Sequence, residues 1–245
     1  MKIGLIIHIP HASTLIPVEY KSGFLLSDDA LAREVLWSVD AYCDELFDAG
    51  IGKRVVAEYN RLVCDPERFR DDALEENAKK GNGFFYTNTL RGLPLRREDP
   101  ALKHKVLTQI YDKHHEKLTR AVGEALREFG RCLIIDGHSF SDDPYLGEDL
   151  PDFCIGTDAC HTPLALAETA VDFLRSFGYT VEVNRPFSGS IVPMAYYGKD
   201  KRVTTLMIEV NKRLYLEGAT LTKSKDFDKI RKVCIQTIKT LMEAM

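Results

Sequence analysis

Two histidines stand where the sequence passes from an apolar run into polar residues. His11 follows the run Ile3–Ile9 in I-P-H-A-S, and His138 follows the run Cys132–Asp136 in D-G-H-S. Short apolar runs bounded by turn residues are typical of buried strands. Two imidazoles at the ends of such strands suit a transition metal such as zinc, which takes a third protein ligand and keeps one position for water. A lone histidine at a strand end is more often a hydrogen-bonding group, so the pair carries the prediction.

Three aspartates are alternatives for the third metal ligand: Asp40, Asp65 and Asp136. Asp136 directly precedes the G-H-S segment. It could instead bind the imidazole of His138 and orient it without contacting the metal. Asp40 lies in a segment predicted to be helical, beside an apolar face, and could equally be a solvated residue. The residue types alone leave the choice open.

One glutamate interrupts an apolar run that should be part of the core. Glu209 stands in M-I-E-V, where a buried carboxylate is costly unless it is paired or functional. Beside a metal-bound water, such a carboxylate can accept the proton of the water and later pass it to a leaving amine. The alternative is an ion pair with Arg185 or Arg213.

Arginines and small polar residues occupy the remaining strand ends. Arg61 and Arg68 lie in N-R-L-V-C-D-P-E-R, and Arg185 lies in N-R-P-F-S-G-S. Arginine binds carboxylates through two parallel hydrogen bonds, so these residues predict a small anionic substrate, although each alone could be a solvated surface residue. Ser139 and Asn211, also at strand ends, are predicted to contribute to substrate binding.

The elements that position these residues alternate along the chain. The predicted strands are Ile3–Ile9, Lys53–Tyr59, Cys132–Asp136, Phe153–Gly156, Thr180–Asn184 and Thr204–Val210, and the predicted helices are Asp28–Ala49, Pro100–Phe129, Pro163–Phe177 and Asp226–Met242. Strands separated by helices indicate a three-layer α/β/α fold with a mainly parallel or mixed central sheet. Ligands of such sheets bind beyond the carboxyl ends of the strands, so five strand ends are expected to converge on one site.

The composition favours one globular domain over residues 1–245. Of the 245 residues, 44% are hydrophobic, which excludes disorder as the default. Residues 66–99 are charged and contain glycines, and they predict a long insertion or a lid-like segment. The net charge of −4 disfavours general nucleic-acid binding, and no apolar stretch reaches the roughly 18 residues needed to span a membrane.

The motifs that are missing narrow the chemistry further. The sequence contains no G-x-S-x-G, no G-x-x-x-x-G-K-[ST] and no G-x-G-x-x-G, which disfavours serine hydrolases, kinases and dinucleotide enzymes. Its six cysteines are scattered without a C-x-x-C pair, and the N-terminal run is too short for an export signal. Reduced thiols and a cytoplasmic location are therefore expected.

Six ordered blocks resemble the N-formylglutamate amidohydrolase family. They are I-P-H-A-S (9–13), W-S-V-D (37–40), Y-N-R-L-V-C-D-P-E-R (59–68), D-G-H-S-F (136–140), N-R-P-F-S-G (184–189) and M-I-E-V-N-K-R-L-Y-L (207–216). The resemblance implies a phosphorylase/hydrolase-like α/β/α fold akin to zinc carboxypeptidases. It also implies hydrolysis of N-formyl-L-glutamate to formate and glutamate, a step of histidine degradation.

The resemblance also implies roles for individual residues. His11 and His138 become metal ligands, and Glu209 matches the catalytic carboxylate of the carboxypeptidase-like relatives. The resemblance does not fix the third metal ligand, for which we select Asp40. Arg61 and Arg68 fall in the arginine-rich turn of the family. Two blocks depart from the common pattern: this chain has D-P-E-R where members often have D-x-N-R, and E-V-N-K where they often have E-I-N-R.

The sequence therefore predicts a metal-dependent hydrolase that cleaves the amide bond of a small N-acyl amino acid, with a divalent transition metal, zinc above others, as cofactor. One alternative is a zinc carboxypeptidase-like peptidase acting on a longer substrate. Another is a non-catalytic domain that binds an acidic metabolite, in which the histidines are structural. Stoichiometric metal in the pure protein would separate the enzymes from the binding domain.

Overall fold

The computed structural model describes residues 3–21, 23–143 and 149–245. The chain forms two compact units, each built from segments that are separated in sequence. The first unit comprises Met1–Ile9, Tyr42–Val56 and Leu118–Met245, and the second comprises Pro10–Ala41 and Ala57–Lys117. No helix in the described ranges combines the length and apolar character needed to cross a lipid bilayer. The organisation as one domain with an insertion stays a prediction.

A six-stranded sheet forms the centre of the first unit, in the order β2-β1-β3-β6-β4-β5. Its strands are β1 (Gly4–Ile9), β2 (Lys53–Val56), β3 (Cys132–Phe140), β4 (Phe153–Gly156), β5 (Val181–Val183) and β6 (Val203–Asn211). Strands β2, β1, β3 and β6 are parallel, whereas β4 is antiparallel to β6 and carries β5 parallel to itself. The sheet is therefore mixed.

Helices cover both faces of this sheet because both faces are apolar. The helices of the unit are α3 (Cys43–Leu46), most of α5 (Asp112–Phe129), α6 (Leu164–Ser176) and α7 (Phe227–Glu243). On one face, Ile6 and Ile134 pack with Leu118 and Val122 of α5. On the other face α3 contacts β3, α6 contacts β4, and α7 packs against α3 and α6. This arrangement confirms the predicted three-layer α/β/α class.

The second unit is held together by a core of its own. It contains α1 (Val18–Lys21), α2 (Asp28–Ser38), a 3₁₀ turn (Glu76–Lys80) and α4 (Pro100–Val106), followed by a π-helical turn (Leu107–Tyr111). Residues 66–99 contribute Phe84, Phe85, Tyr86 and Leu95 to this core. The G-F-F-Y segment (83–86) therefore packs in the interior of the unit.

Two of the predicted elements differ most from the structure in their bounds. The helix predicted over Asp28–Ala49 ends at Ser38, where Val39 turns to an extended conformation, and Tyr42 is left-handed with φ 62°. Asp40 therefore lies on a buried turn and not on a helix. Conversely, β3 continues to Phe140, four residues beyond its predicted end, because its polar residues have buried partners on the neighbouring strands.

The predicted convergence of five strand ends is wrong for one strand. β5 runs opposite to β1, β2, β3 and β6, so its carboxyl end lies at the other edge of the sheet. The segment that starts at Asn184 and Arg185 leaves the sheet from that edge. Four strand ends share the carboxyl edge. The direction of β4 and β5 is not encoded in the apolar pattern, since a four-residue buried strand reads the same in either direction.

Candidate functional site

Four polar side chains lie along one face of the sheet in the first unit and form the Asp136 cluster: His8, Asp136, His138 and Glu209. Asp136 and His138 are two residues apart on β3 and therefore point to the same face. His8 of β1 is the register partner of Asp136, and Glu209 of β6 is the register partner of His138. All four side chains are buried.

Asp136 is the centre of this cluster because it binds both histidines. One carboxylate oxygen lies 2.8 Å from His8 Nδ1 and 3.1 Å from His138 Nε2, and the other accepts the backbone N–H of Ile191 at 3.0 Å. Burial alone would raise the pKa of Asp136, but the adjacent His138 and His8 reverse that effect and hold the pKa well below its usual range. Asp136 is therefore an ionised carboxylate that fixes the ring of His138.

Glu209 is 6% exposed and faces His138 on one side and Cys154 of β4 on the other. Burial, the largest cause, raises the pKa of the Cys154 thiol to about 11, and the nearby Glu209 charge also raises it. One of the alternative partners of Glu209 is engaged elsewhere, since Arg213 binds Asp142 at 2.7 Å and Asp152 at 2.9 Å.

A second group of polar side chains, the Asp65 cluster, lies in the second unit. Its members are His11, Asp40, Arg61, Asp65, Arg68 and Tyr86. One oxygen of Asp65 lies 2.8 Å from His11 Nε2. Its other oxygen accepts Arg61 Nε at 3.0 Å, Arg61 Nη2 at 2.6 Å and the Tyr86 hydroxyl at 2.7 Å. Asp65 is thus held by four side-chain hydrogen bonds from three residues.

The charges of the Asp65 cluster stabilise one another. Burial would raise the pKa of Asp65, but Arg61, His11 and Arg68 lower it well below the usual range. Conversely, Asp65 raises the pKa of Arg61 in spite of the burial of the guanidinium. Both groups are therefore charged, and the carboxylate restrains the ring of His11.

Asp40 contacts His11 through both the side chain and the backbone. An oxygen of its carboxylate lies 3.5 Å from His11 Nδ1, and its backbone N–H donates to the carbonyl of His11 at 2.9 Å. The turn after α2 therefore keeps Asp40 beside the segment that follows β1. Asp40, at 5% exposed, is a buried carboxylate.

The donor chemistry of these residues fits a transition metal. His11, Asp40 and His138 are buried and offer two imidazoles and a carboxylate. Each histidine is also oriented by an aspartate outside the predicted ligand set, Asp65 for His11 and Asp136 for His138. A carboxylate behind the imidazole is the usual arrangement of metal-binding histidines in proteins. Asp65 and Asp136 contact these histidines at 2.8 and 3.1 Å, whereas the Asp40 carboxylate lies 3.5 Å from His11 Nδ1.

The residues predicted to bind substrate differ in their surroundings. Arg61 is committed to Asp65, whereas Arg68 lies 3.5 Å from the same carboxylate and is more exposed, at 23% against 13% for Arg61. Arg185 is exposed and pairs with Glu182 at 2.5 Å. Asn211 donates to Asp142 at 2.7 Å and to the carbonyl of Pro151 at 3.2 Å. The Ser139 hydroxyl is buried without a hydrogen-bond partner among the described residues.

Sequence reasoning assigned no role to two members of these clusters. His8 lies inside an apolar run, as Asp136 does, and polar residues within buried runs are a signal that they pair. Tyr86 carried no comparable signal, because the G-F-F-Y segment indicates packing and does not reveal that one hydroxyl reaches Asp65.

Comparison with solved structures identifies proteins of the same fold. The crystal structure of N-formylglutamate amidohydrolase from Ralstonia eutropha JMP134 superposes with a TM-score of 0.86 at 24% identity, covering 99% of this chain and 94% of that chain. The gene product Atu2144 from Agrobacterium tumefaciens gives a TM-score of 0.72 at 17% identity, with coverages of 99% and 92%. At these identities the likeness shows a shared fold.

Sequence comparison extends the result from fold to family. A search of curated proteins found no significant match. The family described as N-formylglutamate amidohydrolase, in contrast, matches residues 3–216, which include every residue of the two clusters. This match confirms the resemblance of the six sequence blocks, and the chain belongs to the N-formylglutamate amidohydrolase family.

Proposed function

We propose that this protein is a metal-dependent hydrolase that cleaves the amide bond of a small N-acyl amino acid, with N-formyl-L-glutamate as the substrate and formate and glutamate as the products. The observation that carries the proposal is the family match over residues 3–216. The two buried histidines, each held by an ionised aspartate, supply residues suited to that chemistry.

His11, Asp40 and His138 are the proposed ligands of a divalent transition metal, zinc above others. His11 follows β1 by two residues, and two Cα steps of about 3.8 Å keep it near the carboxyl end of that strand. β1 pairs with β3, which carries His138. When bound, such a metal polarises an acyl carbonyl and lowers the pKa of a coordinated water toward about 7.

Glu209 is the proposed proton carrier. It is buried on the strand beside His138, where a carboxylate can accept a proton from the attacking water and donate it to the leaving amine. Its neighbours on β3 and β4 are fixed by sheet register, so its backbone position does not depend on a flexible loop.

Arg68 is the strongest of the proposed substrate-carboxylate ligands, ahead of Arg61 and Arg185. Its guanidinium lies at a longer distance from Asp65 than that of Arg61, and it is the more exposed of the two. Arg61 then stabilises the charge of Asp65, and Ser139 and Asn211 are assigned lesser roles in binding substrate.

Metal content and substrate preference together test the proposal. We expect pure protein to contain about one equivalent of metal, and His11→Ala, His138→Ala and, less strongly, Asp40→Asn to lose it while staying folded. A panel of N-formyl, N-acetyl and dipeptide substrates should then show the highest kcat/KM for N-formyl-L-glutamate.

Three outcomes would count against the proposal. Full metal occupancy in both histidine variants would rule out these ligands, and loss of metal only in Asp65→Asn or Asp136→Asn would select another carboxylate. Hydrolysis of dipeptides with no activity on N-formyl amino acids would replace the proposed substrate class with a peptidase substrate.

A further inference from the structure

Two side chains of the helical segment formed by the π-helical turn and the start of α5 bind the backbone of the turn that carries Asp65 and Arg68. The hydroxyl of Tyr111 donates to the carbonyl of Arg68 at 2.7 Å, and His115 Nε2 lies 2.9 Å from the carbonyl of Pro66. A carbonyl oxygen only accepts hydrogen bonds, so this nitrogen of His115 carries the proton. The two rings pack together, with centroids 4.3 Å apart.

The π-helical turn explains how Tyr111 reaches this position. Val106 and Tyr111 are five residues apart, and both belong to the core of the second unit. In a regular α-helix, five residues correspond to a rotation of about 500°, so the two side chains would point about 140° apart. The wider turn at Leu107–Tyr111 reduces that angle, because i to i+5 hydrogen bonds place such residues above one another. Tyr111 is thereby directed inward, and His115 follows four residues later on the same side.

Hydrogen bonds within the turn involve the backbone N–H groups of Glu67 and Arg68. Within residues 65–68, the N–H of Glu67 donates to the Asp65 carboxylate at 3.0 Å, and the N–H of Arg68 reaches the Asp65 carbonyl at 3.4 Å. Pro66 has no N–H to contribute. The two bonds from Tyr111 and His115 restrain the backbone carbonyls of the residues on either side of Glu67.

The Tyr111 hydroxyl is suited to act as a permanent donor. Burial, together with the nearby Cys64, Glu67 and Asp65, raises the pKa of Tyr111 above its ordinary value. The hydroxyl consequently keeps its proton at pH values where an ordinary tyrosine ionises, so it stays a donor to the Arg68 carbonyl there.

We propose that Tyr111 and His115 are positioning residues for the reaction: they hold the turn 65–68 so that Asp65 orients His11 and Arg68 meets the substrate carboxylate. The inference rests on the proposed function for its catalytic consequence. Its structural part, the restraint of the turn, is independent of what the enzyme hydrolyses.

Hydrogen–deuterium exchange of the metal-free and metal-loaded protein tests the structural part. Tyr111→Phe and His115→Leu should each speed exchange in peptides that cover residues 65–70, whereas His115→Gln, which keeps an N–H donor, should restore protection. Tyr20→Phe is the matched control, because Tyr20 is a buried tyrosine of the same core with no hydrogen bond to the turn among the described residues. Unchanged exchange in both donor-deleting variants would overturn the proposal.

Steady-state kinetics and metal titration test the catalytic part. Loss of one hydrogen bond to the turn should raise KM for an N-acyl amino acid about 2- to 10-fold, with a smaller change in kcat and none for the neutral amide of the same substrate. Metal affinity, measured without substrate, should weaken in the double variant Tyr111→Phe/His115→Leu. Faster exchange with unchanged KM and metal affinity would overturn the catalytic role, whereas an inactive wild-type protein would refute the proposed function alone.

Discussion

Asp65 and Asp136 are fully buried, yet both stay ionised, because donors surround each carboxylate. A buried charge costs several kcal/mol unless hydrogen bonds and opposite charges replace the lost water. Asp65 obtains them from His11, Arg61 and Tyr86, whereas Asp136 obtains them from two histidines and a backbone N–H. Each aspartate therefore stabilises its unit and restrains a histidine through the same contacts.

Asp65→Asn should lower the free energy of unfolding by about 3–5 kcal/mol, because the substitution removes a fully buried charge and leaves the partly buried Arg61 without it. Urea unfolding at pH 7 measures the change. The control is Asp200→Asn, which breaks an ion pair with the exposed Arg202 and should cost less than about 1 kcal/mol. Equal losses in the two variants would show that Arg61 does not depend on Asp65.

Glu209→Gln should keep the fold and the bound metal while slowing turnover by about 10²- to 10⁴-fold, since the amide cannot accept a proton. Turnover, metal content and melting temperature are measured on the same sample. A purely structural glutamate makes the opposite prediction, a lower melting temperature with kcat preserved in the folded fraction. A destabilised but fully active variant would therefore end this assignment.

The residue types in the sequence identified candidate site residues but not the contacts between them. His11, His138, Asp65 and Asp136 were identified from their positions at predicted strand ends, and Asp40 from its place beside an apolar helix face. Their division into proposed ligands and orienting partners required distances. That division depends on which nitrogen of each ring faces which carboxylate. Spacing along the chain does not determine it, because Asp65 is 54 residues from His11.

At the level of elements, apolar runs predicted where strands begin more reliably than where they end. β3 begins at Cys132 as predicted, but it continues through D-G-H-S because Asp136 pairs with His8 across the sheet. A rule that ends strands at polar residues fails wherever such residues are buried in pairs. The same pattern could not show that β4 is antiparallel, since direction depends on how the connecting segments pack.

Gly156→Ala should destabilise the protein by about 1–3 kcal/mol, because the added methyl group overpacks the contact between β4 and β6. A Cβ at this position would lie 2.3 Å from Met207 Cε and 2.4 Å from the backbone oxygen of Gly189. The methionine end can move, but the carbonyl belongs to the backbone. Thermal and urea unfolding measure the loss.

Gly23→Ala is the matched control for this substitution. Its Cβ would meet a Leu102 methyl group at 3.3 Å, and side-chain rotation can relieve that contact. We expect a change within about 0.5 kcal/mol. The segment that follows Gly189 is restrained by hydrogen bonds to Asp136 and Thr205. An equally small effect of Gly156→Ala would show that this segment can nevertheless shift to accommodate the methyl group.

For the molecule as a whole, the alternation of strands and helices predicted the α/β/α class, because each apolar face of a sheet must be covered. The two compact units were not predicted, since each is assembled from separated segments and no change of composition marks their limits. The family match ends at residue 216, whereas α7 begins at Phe227 and packs against α3 and α6. The last helix thus belongs to the core of the first unit although it lies beyond the matched segment.

The proposed metal should also be visible in the stability of the whole protein. A ligand that binds only the folded state stabilises it by about 2.7 kcal/mol at a free concentration 100 times its Kd. For a chain of this size, 1 kcal/mol shifts the melting temperature by roughly 2–4 °C, so zinc should raise it by about 5–11 °C and a chelator should reverse the shift. Differential scanning calorimetry at fixed pH measures both.

His138→Ala and His115→Gln separate specific metal binding from nonspecific effects. His138→Ala removes a proposed ligand and should abolish the zinc-dependent shift, whereas His115→Gln removes an imidazole outside the proposed set and should retain it. If zinc raised the melting temperature of His138→Ala as much as that of the wild type, the stabilising site would lie elsewhere in the chain. The comparison needs no substrate, because stabilisation by the metal depends only on its affinity for the folded protein.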